Sequence, residues 1–347
     1  MHTPKISVII PVYNAGIYLP ERIESILNQT LKDIEIIIVL DCPTDGSDKV
    51  AESYSRKDER IKLIYNPANL HIGLSRNQGL KAATGEYISL VDHDDYCTPD
   101  MYEKMYSKAQ QNQADIVVSN FYGITSTGKT QRFGFPQNYS DEVFQKESFA
   151  FLISGPCNHN PACSITSNFS VWTQLFKRQF LEKHHIVFQD NREITFEDRL
   201  FLIETYFFAQ KVNVIHEAFT YHRYHQSNSG SNYSYRSIEL ITNYLMYVHD
   251  FLNRQHILKK EYIHFADNIL LSLYSGFRNE VKHKSLFKAL RTLTPIRKNP
   301  AFQQALRYLY KKENLKYLKK YPVTKLSFLL LITLFGKKTD EFLIYDL

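Results

Sequence analysis

Three carboxylates crowd into four positions directly after an apolar run, at Asp92, Asp94 and Asp95. Like charges at this spacing repel one another, and a packed hydrophobic core has no use for them. Carboxylate oxygens suit hard divalent ions such as Mg2+ and Mn2+, which would relieve the repulsion. Because alternate side chains of an extended backbone point the same way, we expect Asp92 and Asp94 to face one site while His93 and Asp95 turn aside. A solvated loop with a chance acidic cluster is the alternative.

The elements that must position these carboxylates are buried strands alternating with helices. Continuous Ile/Val runs at Ile6–Val12 and Ile34–Leu40 are separated by helical apolar spacing from residue 15 to residue 29. This pattern predicts an α/β fold with a mostly parallel sheet flanked by helices. Ligands collect at the carboxyl ends of the strands in such sheets. Asp41 and the acidic cluster both follow predicted strand ends, which favours a site there.

The rest of the chain is less regular. Helical spacing predicts helices from Leu175 to His184 and from Thr195 to Ala209, and a helical region from about Ser237 onward. The 347 residues, 44% of them hydrophobic, suffice for one large α/β domain with an appendage or for two domains. We therefore expect a C-terminal helical extension after the sheet.

The four cysteines lie at positions 42, 97, 157 and 163, and none forms a CxxC pair. Because the N-terminus carries no signal peptide, we expect reduced thiols in a cytoplasmic protein. Nearby histidines lack ligand spacing, so the sequence does not favour a zinc site.

Positive charge is concentrated near the C-terminus. The formal net charge is +6, but the segment from Val281 to Lys325 holds thirteen lysines and arginines against one glutamate, a net +12. Such a segment implies a polyanionic partner. The apolar run from Leu326 to Phe335 is shorter than the ~20 residues of a membrane span, and a core helix and an interfacial helix fit it comparably well. We favour docking of residues 281–338 on an anionic membrane surface over nucleic acid, for which no recognition module is visible.

Several short segments occur in an order that resembles the family 2 glycosyltransferases with the GT-A fold. They are residues 8–14, the turn at Asp41, residues 73–79, and Gly85-Glu-Tyr-Ile followed by the acidic cluster. A further pair, residues 196–198 and 221–225, resembles bacterial capsule, O-antigen and lipooligosaccharide transferases. The resemblance implies a GT-A domain over residues 1–225 and a helical, basic region over residues 226–347. Within the domain it implies a Rossmann-like nucleotide-sugar half (1–115) and an acceptor half (116–225).

This resemblance implies inverting transfer from a nucleotide-sugar, in the first place a UDP-sugar, to a hydroxyl of a saccharide or lipid-linked acceptor, with Mg2+ or Mn2+. Asp41 matches the carboxylate that accepts the N3–H of uracil, which cytosine lacks. Asp92 and Asp94 match the DXD motif, with Asp94 the stronger metal ligand. The other positions implied in donor binding are Pro11, Tyr13, Asn14, Arg76 and His93. Leu40 departs from the family, which commonly has a second Asp there.

For the catalytic base, the resemblance points to Asp198, with Glu197 second. The residues alone favour a different role, a capping box that begins at Thr195 and places Asp198 at N3. The resemblance reverses that preference, because the Glu-Asp pair recurs in the family before this aromatic helix.

Four more residues are candidates for contacting the diphosphate or the acceptor. His222, Arg223 and His225 carry donors suited to phosphate oxygens, although the polar face of a strand edge explains them equally well. Trp172 offers a flat face for an acceptor sugar, although a core tryptophan is the more common outcome.

Two other functions compete with sugar transfer. A sugar-phosphate nucleotidyltransferase usually has a Gly-rich, cationic loop after its first strand, where this chain has Pro11 to Gly16 without a cation. An inactive transferase domain acting as a polyanion-binding module is disfavoured by the intact Asp92 and Asp94 pair. A lipid-linked acceptor would place the enzyme peripherally on the inner face of the cytoplasmic membrane.

Overall fold

The computed structural model describes residues 3–125, 127–135, 139–154, 170–224, 236–309, 311 and 314. These residues fall into two compact units. The first unit contains the described residues of ranges 3–149, 170–192 and 196–224, and the second contains those of 150–154, 193–195 and 236–314.

A single mixed sheet forms the centre of the first unit. Its strands are β1 (Ile6–Val12), β2 (Ile34–Leu40), β3 (Ile61–Tyr65), β4 (Tyr87–Leu90), β5 (Tyr96–Cys97), β6 (Ile116–Ile124), β7 (Thr130–Phe133), β8 (Gln174–Lys177) and β9 (Val212–Arg223). Among the described residues the strand order is β3-β2-β1-β4-β8-β6-β9-β5, with β7 paired to β6. The first unit is therefore an α/β fold, as the sequence pattern predicts.

Helices connect and flank these strands. They are α1 (Leu19–Leu27), α2 (Ser47–Ser55), α3 (His71–Ala82), α4 (Met101–Asn112), α5 (Asp141–Ile153), α6 (Arg178–Lys183) and α7 (Glu197–Phe208). Short 3-10 helices precede α1 and β8.

Strands β1 to β4 form the parallel half of the sheet. Every residue of β1 and β2 is buried, which is why both read as continuous apolar runs. Their register pairs Val12 with Leu40, so the two carboxyl ends lie level with each other. Strand β4 pairs with the other side of β1. The loops that follow these three strands therefore share one edge of the sheet.

Beyond β4 the sheet is mixed, and one helix prediction is wrong in part. The segment from Gln174 to Lys177 is strand β8, which pairs antiparallel with β4 and β6, and the helix begins only at Arg178. Leu175 and Phe176 are apolar at helical spacing from later residues, but both are fully buried between two strands. The tertiary environment overrides the local pattern here.

The second unit is helical in its described residues. It contains α8 (Ser237–Arg254), α9 (Tyr262–His283), α10 (Leu286–Thr292), α11 (Thr294–Lys298) and α12 (Pro300–Leu309). Among the helices that the structure describes, none is at once long and apolar enough to cross a membrane. The apolar run from Leu326 to Phe335 lies outside the described residues.

A buried carboxylate ties three strands of the parallel half together at the end remote from those loops. Glu35 on β2 accepts hydrogen bonds at 2.5–3.1 Å from Ser7, Lys62, Thr84 and Gly85. Burial alone would raise the pKa of Glu35, but these donors, led by Lys62, hold it below its ordinary value of 4.5. The ionised carboxylate is thus stabilised by the fold.

We expect Glu35→Gln to lower the free energy of unfolding near neutral pH by about 1–3 kcal/mol, since charge-assisted bonds to a buried group are lost. Because folding depresses the pKa of Glu35, its contribution is present above the unfolded-state pKa and disappears as pH falls through the folded-state value. The difference from wild type should therefore shrink below about pH 4. Urea unfolding at several pH values measures it, with the exposed Glu59→Gln as the matched control. An equal difference at all pH values would contradict the assignment.

Candidate active site

The carboxyl ends of β1, β2 and β4 bring the predicted acidic residues to one edge of the sheet. Asp41 follows β2, and its backbone N–H donates to the carbonyl of Val12 at 2.9 Å. Val91, which precedes the first acidic residue, donates in the same way to Ile9 at 3.0 Å. Both loops therefore continue the register of the parallel strands before they turn, and this fixes where their carboxylates lie.

The acidic turn, defined as residues 92–95, gathers three carboxylates. One oxygen from each of Asp92, Asp94 and Asp95 lies within 4.8 Å of the other two. We expected Asp95 to turn aside, but its oxygen belongs to this group, because residues 92–95 form a turn rather than an extended strand. His93 does turn away from the group, and its Nδ1 lies 3.2 Å from the carbonyl oxygen of Pro11.

Asp95 is the fully buried member of the turn. Its Oδ2 lies 3.0 Å from Nδ1 of His222, and its Oδ1 accepts the backbone N–H of Arg223 at 3.0 Å. Burial raises the pKa of Asp95, and the hydrogen bond from His222 opposes that rise. The pKa of His222 is pushed down by burial, but Asp95 more than offsets this, so it lies above its ordinary value. Asp95 and His222 thus form a hydrogen-bonded pair in which each group shifts the pKa of the other.

Arg76 on α3 connects the acidic turn to the predicted catalytic pair. Its Nη2 donates to Asp92 at 2.9 Å and its Nη1 to Glu197 at 3.3 Å. The side chain is 3% exposed, and its guanidinium carbon lies 5.2 Å from the centre of the Phe188 ring. Nε is buried and has no hydrogen-bond partner in the part of the chain that the structure describes. The cation therefore sits between two carboxylates that belong to distant parts of the sequence.

Glu197 and Asp198 open helix α7, but not as a capping box. The N-cap residue is Phe196, in the left-handed region with φ 57°, and it makes no side-chain cap hydrogen bond. Thr195 is not the N-cap and Asp198 is not at N3, so that alternative is wrong. The strained Phe196 backbone turns the chain so that Glu197 is the first helical residue.

Burial governs the ionisation of this pair. It raises the pKa of Glu197, as does the charge of Asp198, while Arg76 lowers it. Burial also raises the pKa of Asp198, again opposed by Arg76. Glu197 is held by Arg76 and by Asn191. Asp198 accepts the backbone N–H of Arg199 through Oδ1 at 2.7 Å, and among the described residues no hydrogen bond engages its Oδ2.

The predicted nucleobase side lies around Asp41. Its Oδ1 accepts hydrogen bonds at 2.7 Å from Asn66 and from the backbone N–H of Leu70. Nothing in the described part of the chain hydrogen-bonds to Oδ2. Tyr13, the residue directly after β1, is 47% exposed. Asn14, with φ 50°, accepts the backbone N–H of Thr44 at 2.7 Å and so joins the β1 and β2 loops.

Asn66 is a site residue that the sequence reasoning missed. It directly follows β3, is 7% exposed, and donates both to Asp41 and to Ser75 Oγ at 2.9 Å. Its position after a strand end, the same signal that singles out Asp41, would have found it. Asn191 was also missed, although its Oδ1 accepts the N–H of Gly73 at 2.8 Å. No pattern in the sequence marks a loop residue of that kind.

Of the remaining predicted residues, Trp172 and His222 pack against each other and Arg223 contacts the acidic turn. Trp172 is 8% exposed, and His222 stacks on its ring at 4.9 Å between ring centres. Arg223 contacts the backbone of the acidic turn. His225 lies outside the described residues. Their roles toward a diphosphate or an acceptor stay predictions.

Comparison with known proteins identifies the family of this chain. The model for glycosyl transferase family 2 matches residues 7–180, half of the chain. EpsH of Bacillus subtilis (strain 168) is 32% identical over 316 residues, which cover 88% of this chain and 87% of EpsH.

The chain belongs to glycosyl transferase family 2. As a family 2 member it is a glycosyltransferase, and the predicted enzyme class is confirmed.

Solved structures of S. aureus TarS share the fold of this family 2 enzyme. The complex of TarS 1-349 with UDP has a TM-score of 0.66 at 21% identity and covers 96% of this chain and 88% of that one. The complex with UDP-GlcNAc gives 0.65 at 22% identity, with 87% and 81% covered. The predicted GT-A fold is confirmed.

A third solved structure is a mannosyltransferase, PcManGT from Pyrobaculum calidifontis, in complex with GDP-Man and Mn2+. Its TM-score is 0.50 at 14% identity, with 97% of this chain and 89% of that one covered. At that identity the likeness concerns the fold alone.

Proposed function

We propose that this enzyme transfers a sugar with inversion from a nucleotide-sugar, in the first place a UDP-sugar, to a hydroxyl of a saccharide or lipid-linked acceptor. The synthesis of surface polysaccharide or lipooligosaccharide is the setting that we propose. The observation that carries the proposal is the Arg76 bridge, which joins Asp92 of the acidic turn to Glu197 beside Asp198. This bridge supports a donor site at the acidic turn beside a candidate base at Asp198.

The nucleobase would be read by Asp41. Two donors already engage Oδ1, so the orientation of the carboxylate is fixed before a ligand arrives. Oδ2 can then accept the N3–H of uracil, and the exposed ring of Tyr13 can cover the base. Leu40, where the family commonly has another Asp, is 1% exposed and belongs to the hydrophobic core. Base recognition in this chain therefore rests on Asp41, with Pro11, Asn14 and His93 shaping the surrounding loops.

Mg2+ or Mn2+ would be held at the acidic turn. Three carboxylate oxygens within 4.8 Å of one another are hard donors of the kind that these ions prefer, so the residues fit the ion. Asp95 is fully buried and both of its oxygens have hydrogen-bond partners, whereas Asp92 and Asp94 are partly exposed, and we therefore assign the ligands to Asp94 and Asp92. A bound ion supplies Lewis-acid stabilisation of the negative charge on the leaving nucleoside diphosphate.

Asp198 is the residue that we propose as general base. Its Oδ2 can accept the proton of the acceptor hydroxyl, whereas Glu197 is held by Arg76 and Asn191. Burial raises the pKa of Asp198, which makes it a better proton acceptor than an ordinary carboxylate. The acceptor oxygen would then attack the anomeric carbon opposite the departing diphosphate, so an α-linked donor gives a β-linked product. Membership of family 2 leaves the nucleotidyltransferase alternative without support.

Donor binding is tested by thermal shift with UDP-, GDP- and CDP-sugars, each with and without Mn2+. We expect a UDP-sugar with Mn2+ to stabilise the enzyme by about 2.7 kcal/mol at a hundred times the Kd. Asp94→Asn should abolish the Mn2+-dependent part of the shift, while the exposed Glu59→Gln keeps it. Equal shifts with and without Mn2+ would rule out the metal assignment, and release of pyrophosphate instead of UDP would rule out sugar transfer.

The assignment of the base predicts a specific kinetic defect. Asp198→Asn should lower kcat by about 10²–10⁴-fold and leave the donor Kd unchanged, because a general base acts on the acceptor only in the transition state. In wild type, the raised pKa of the pair should place the acidic limb of kcat/KM above the ordinary carboxylate range. Glu197→Gln removes a neighbouring like charge, so any activity it retains should show that limb at lower pH. An unchanged kcat in Asp198→Asn would remove Asp198 from the role.

The membrane partner is proposed from the surface of the second unit. Val281 and Leu286 are 39% and 58% exposed, at the end of α9 and the start of α10. Exposed cations surround them in the sequence, including Lys282, Lys288 and Arg291. Apolar side chains among cations suit an anionic lipid surface. We accordingly propose that the enzyme lies peripherally on the inner face of the cytoplasmic membrane. The boundary between the GT-A domain and the helical region remains proposed at residue 225.

Vesicle sedimentation tests this partner. At low salt we expect binding to vesicles with anionic lipid but not to neutral ones, and loss of that binding at about 0.5 M salt, where charges are screened. A triple variant Lys282→Gln/Lys288→Gln/Arg291→Gln should bind on the order of a hundredfold more weakly, at about 1 kcal/mol for each cation. The matched control is Lys32→Gln/Lys49→Gln/Lys57→Gln, which removes the same charge from exposed positions of the first unit. Equal weakening in both triple variants would argue against a specific docking surface.

A further inference from the structure

Two arginines hold the backbone of the acidic turn, one near each end. Nε of Arg22, on α1, donates to the carbonyl oxygen of Asp92 at 2.8 Å. Nη1 of Arg223, on β9, donates to the carbonyl oxygen of Asp94 at 2.6 Å. The two residues held are the proposed metal ligands, but both bonds use their main chain and not their carboxylates. The two arginines therefore fix the backbone of the turn without bonding to the carboxylates of Asp92 and Asp94.

Arg22 is an unusual residue for a helix that covers a sheet. It is 1% exposed, and no carboxylate of the described residues lies within ion-pair distance of it. Within the described residues, its buried Nη2 has no hydrogen-bond partner. A buried cation without an ion pair is strongly destabilising unless opposite charge lies close by. The acidic turn, whose backbone Arg22 contacts at Asp92, supplies that charge.

Arg223 lies on β9, far from the acidic turn in the sequence, and its side chain is bonded to α1. Its Nη2 donates to Oε2 of Glu21, the neighbour of Arg22, at 2.5 Å. Its guanidinium carbon lies 4.6 Å from the ring centre of Tyr96, and its backbone N–H donates to Asp95. Helix α1 therefore contacts the turn directly through Arg22 and is linked to it indirectly through Glu21 and Arg223.

We propose that Arg22 and Arg223 form an arginine clamp that positions the acidic turn. Three carboxylates within 4.8 Å repel one another, so an unrestrained turn would spread them apart. The hydrogen bonds from the two arginines to the carbonyl oxygens of Asp92 and Asp94 prevent this spreading. Their two positive charges also offset the negative charge of the turn when no cation is bound. Both arginines are positioning residues that act through the turn. The benefit for metal binding rests on the function proposed above, whereas the positioning of the turn does not.

Glu21 provides the sharpest test because it is exposed and, among the described residues, is linked to the turn through Arg223. Glu21→Gln removes the charge that anchors Arg223, and Glu24→Gln is its match on the same helix, an exposed glutamate that instead accepts a hydrogen bond from Tyr54. In the metal-free enzyme, we expect Glu21→Gln to speed hydrogen exchange in the peptide that spans residues 92–97, and Glu24→Gln to leave it unchanged. Because the Glu21–Arg223 ion pair is partly exposed, we expect Glu21→Gln to weaken Mn2+ binding by only about two- to fivefold. Electron paramagnetic resonance measures this affinity.

Two variants of the clamp itself extend the test. Arg223→Met and Arg22→Lys should each raise the Kd for Mn2+ by about tenfold, because residues behind a metal site typically act at that level. Lys keeps the charge at position 22 but cannot donate from the Nε position, so its effect isolates the directed bond. Thermal unfolding of each metal-free variant confirms that it remains folded.

The outcomes separate the clamp from the metal proposal. Faster exchange in Glu21→Gln alone supports the clamp, and if wild type then binds no Mn2+, only the metal function falls. If wild type binds Mn2+ while exchange and affinity match in Glu21→Gln and Glu24→Gln, the clamp is wrong. Equal changes in both variants would equally overturn it, since a general loosening of α1 would then explain them.

Discussion

Repulsion between carboxylates at one edge of the sheet is the constraint on which the rest of the first unit depends. Five acidic side chains from two distant segments are brought to that edge: Asp92, Asp94, Asp95, Glu197 and Asp198. Each segment is opposed by positive charge from elsewhere in the chain, namely Arg22, Arg76, Arg223 and His222. Burial raises the pKa values of Asp95, Glu197 and Asp198, and the neighbouring donors oppose that rise. The structure keeps them together by surrounding them with donors.

The arginines at this edge of the sheet bond to different groups. Arg76 bonds to carboxylates and thereby couples the acidic turn to the pair on α7. Arg22 and Arg223 bond to carbonyl oxygens and leave the carboxylates of Asp92 and Asp94 to other partners. This division suits the proposed reaction, in which an anionic donor is held at the turn and a hydroxyl is deprotonated by Asp198. Preorganised charges of this kind stabilise a transition state without rearrangement during the reaction.

The sequence predicts the part of this arrangement that depends on local pattern. Fully buried runs such as Ile6–Val12 reveal the parallel strands, and the strand ends reveal Asp41 and the acidic turn. The family resemblance, not any physical pattern, singled out Glu197 and Asp198. Contacts between distant segments are invisible to local pattern. Leu175 reads as helix because its strand partners lie far away in the chain.

Two further misses have the same cause. The left-handed backbone of Phe196, which decides where α7 begins, follows from packing and has no marker in the sequence. Arg22 looks like one more charged residue on an amphipathic helix, and only the structure shows that it is buried against the acidic turn. Both residues lie at the site because tertiary constraints override local preference, as is common where function concentrates.

The most direct test of the account is a crystal structure of the enzyme with UDP and Mn2+, with anomalous scattering used to locate manganese. The account predicts an anomalous peak about 2.0–2.3 Å from a carboxylate oxygen of Asp94, between the acidic turn and the diphosphate. Bound UDP with no manganese beside residues 92–95 would contradict the central claim that the crowded acids at this edge hold a cation.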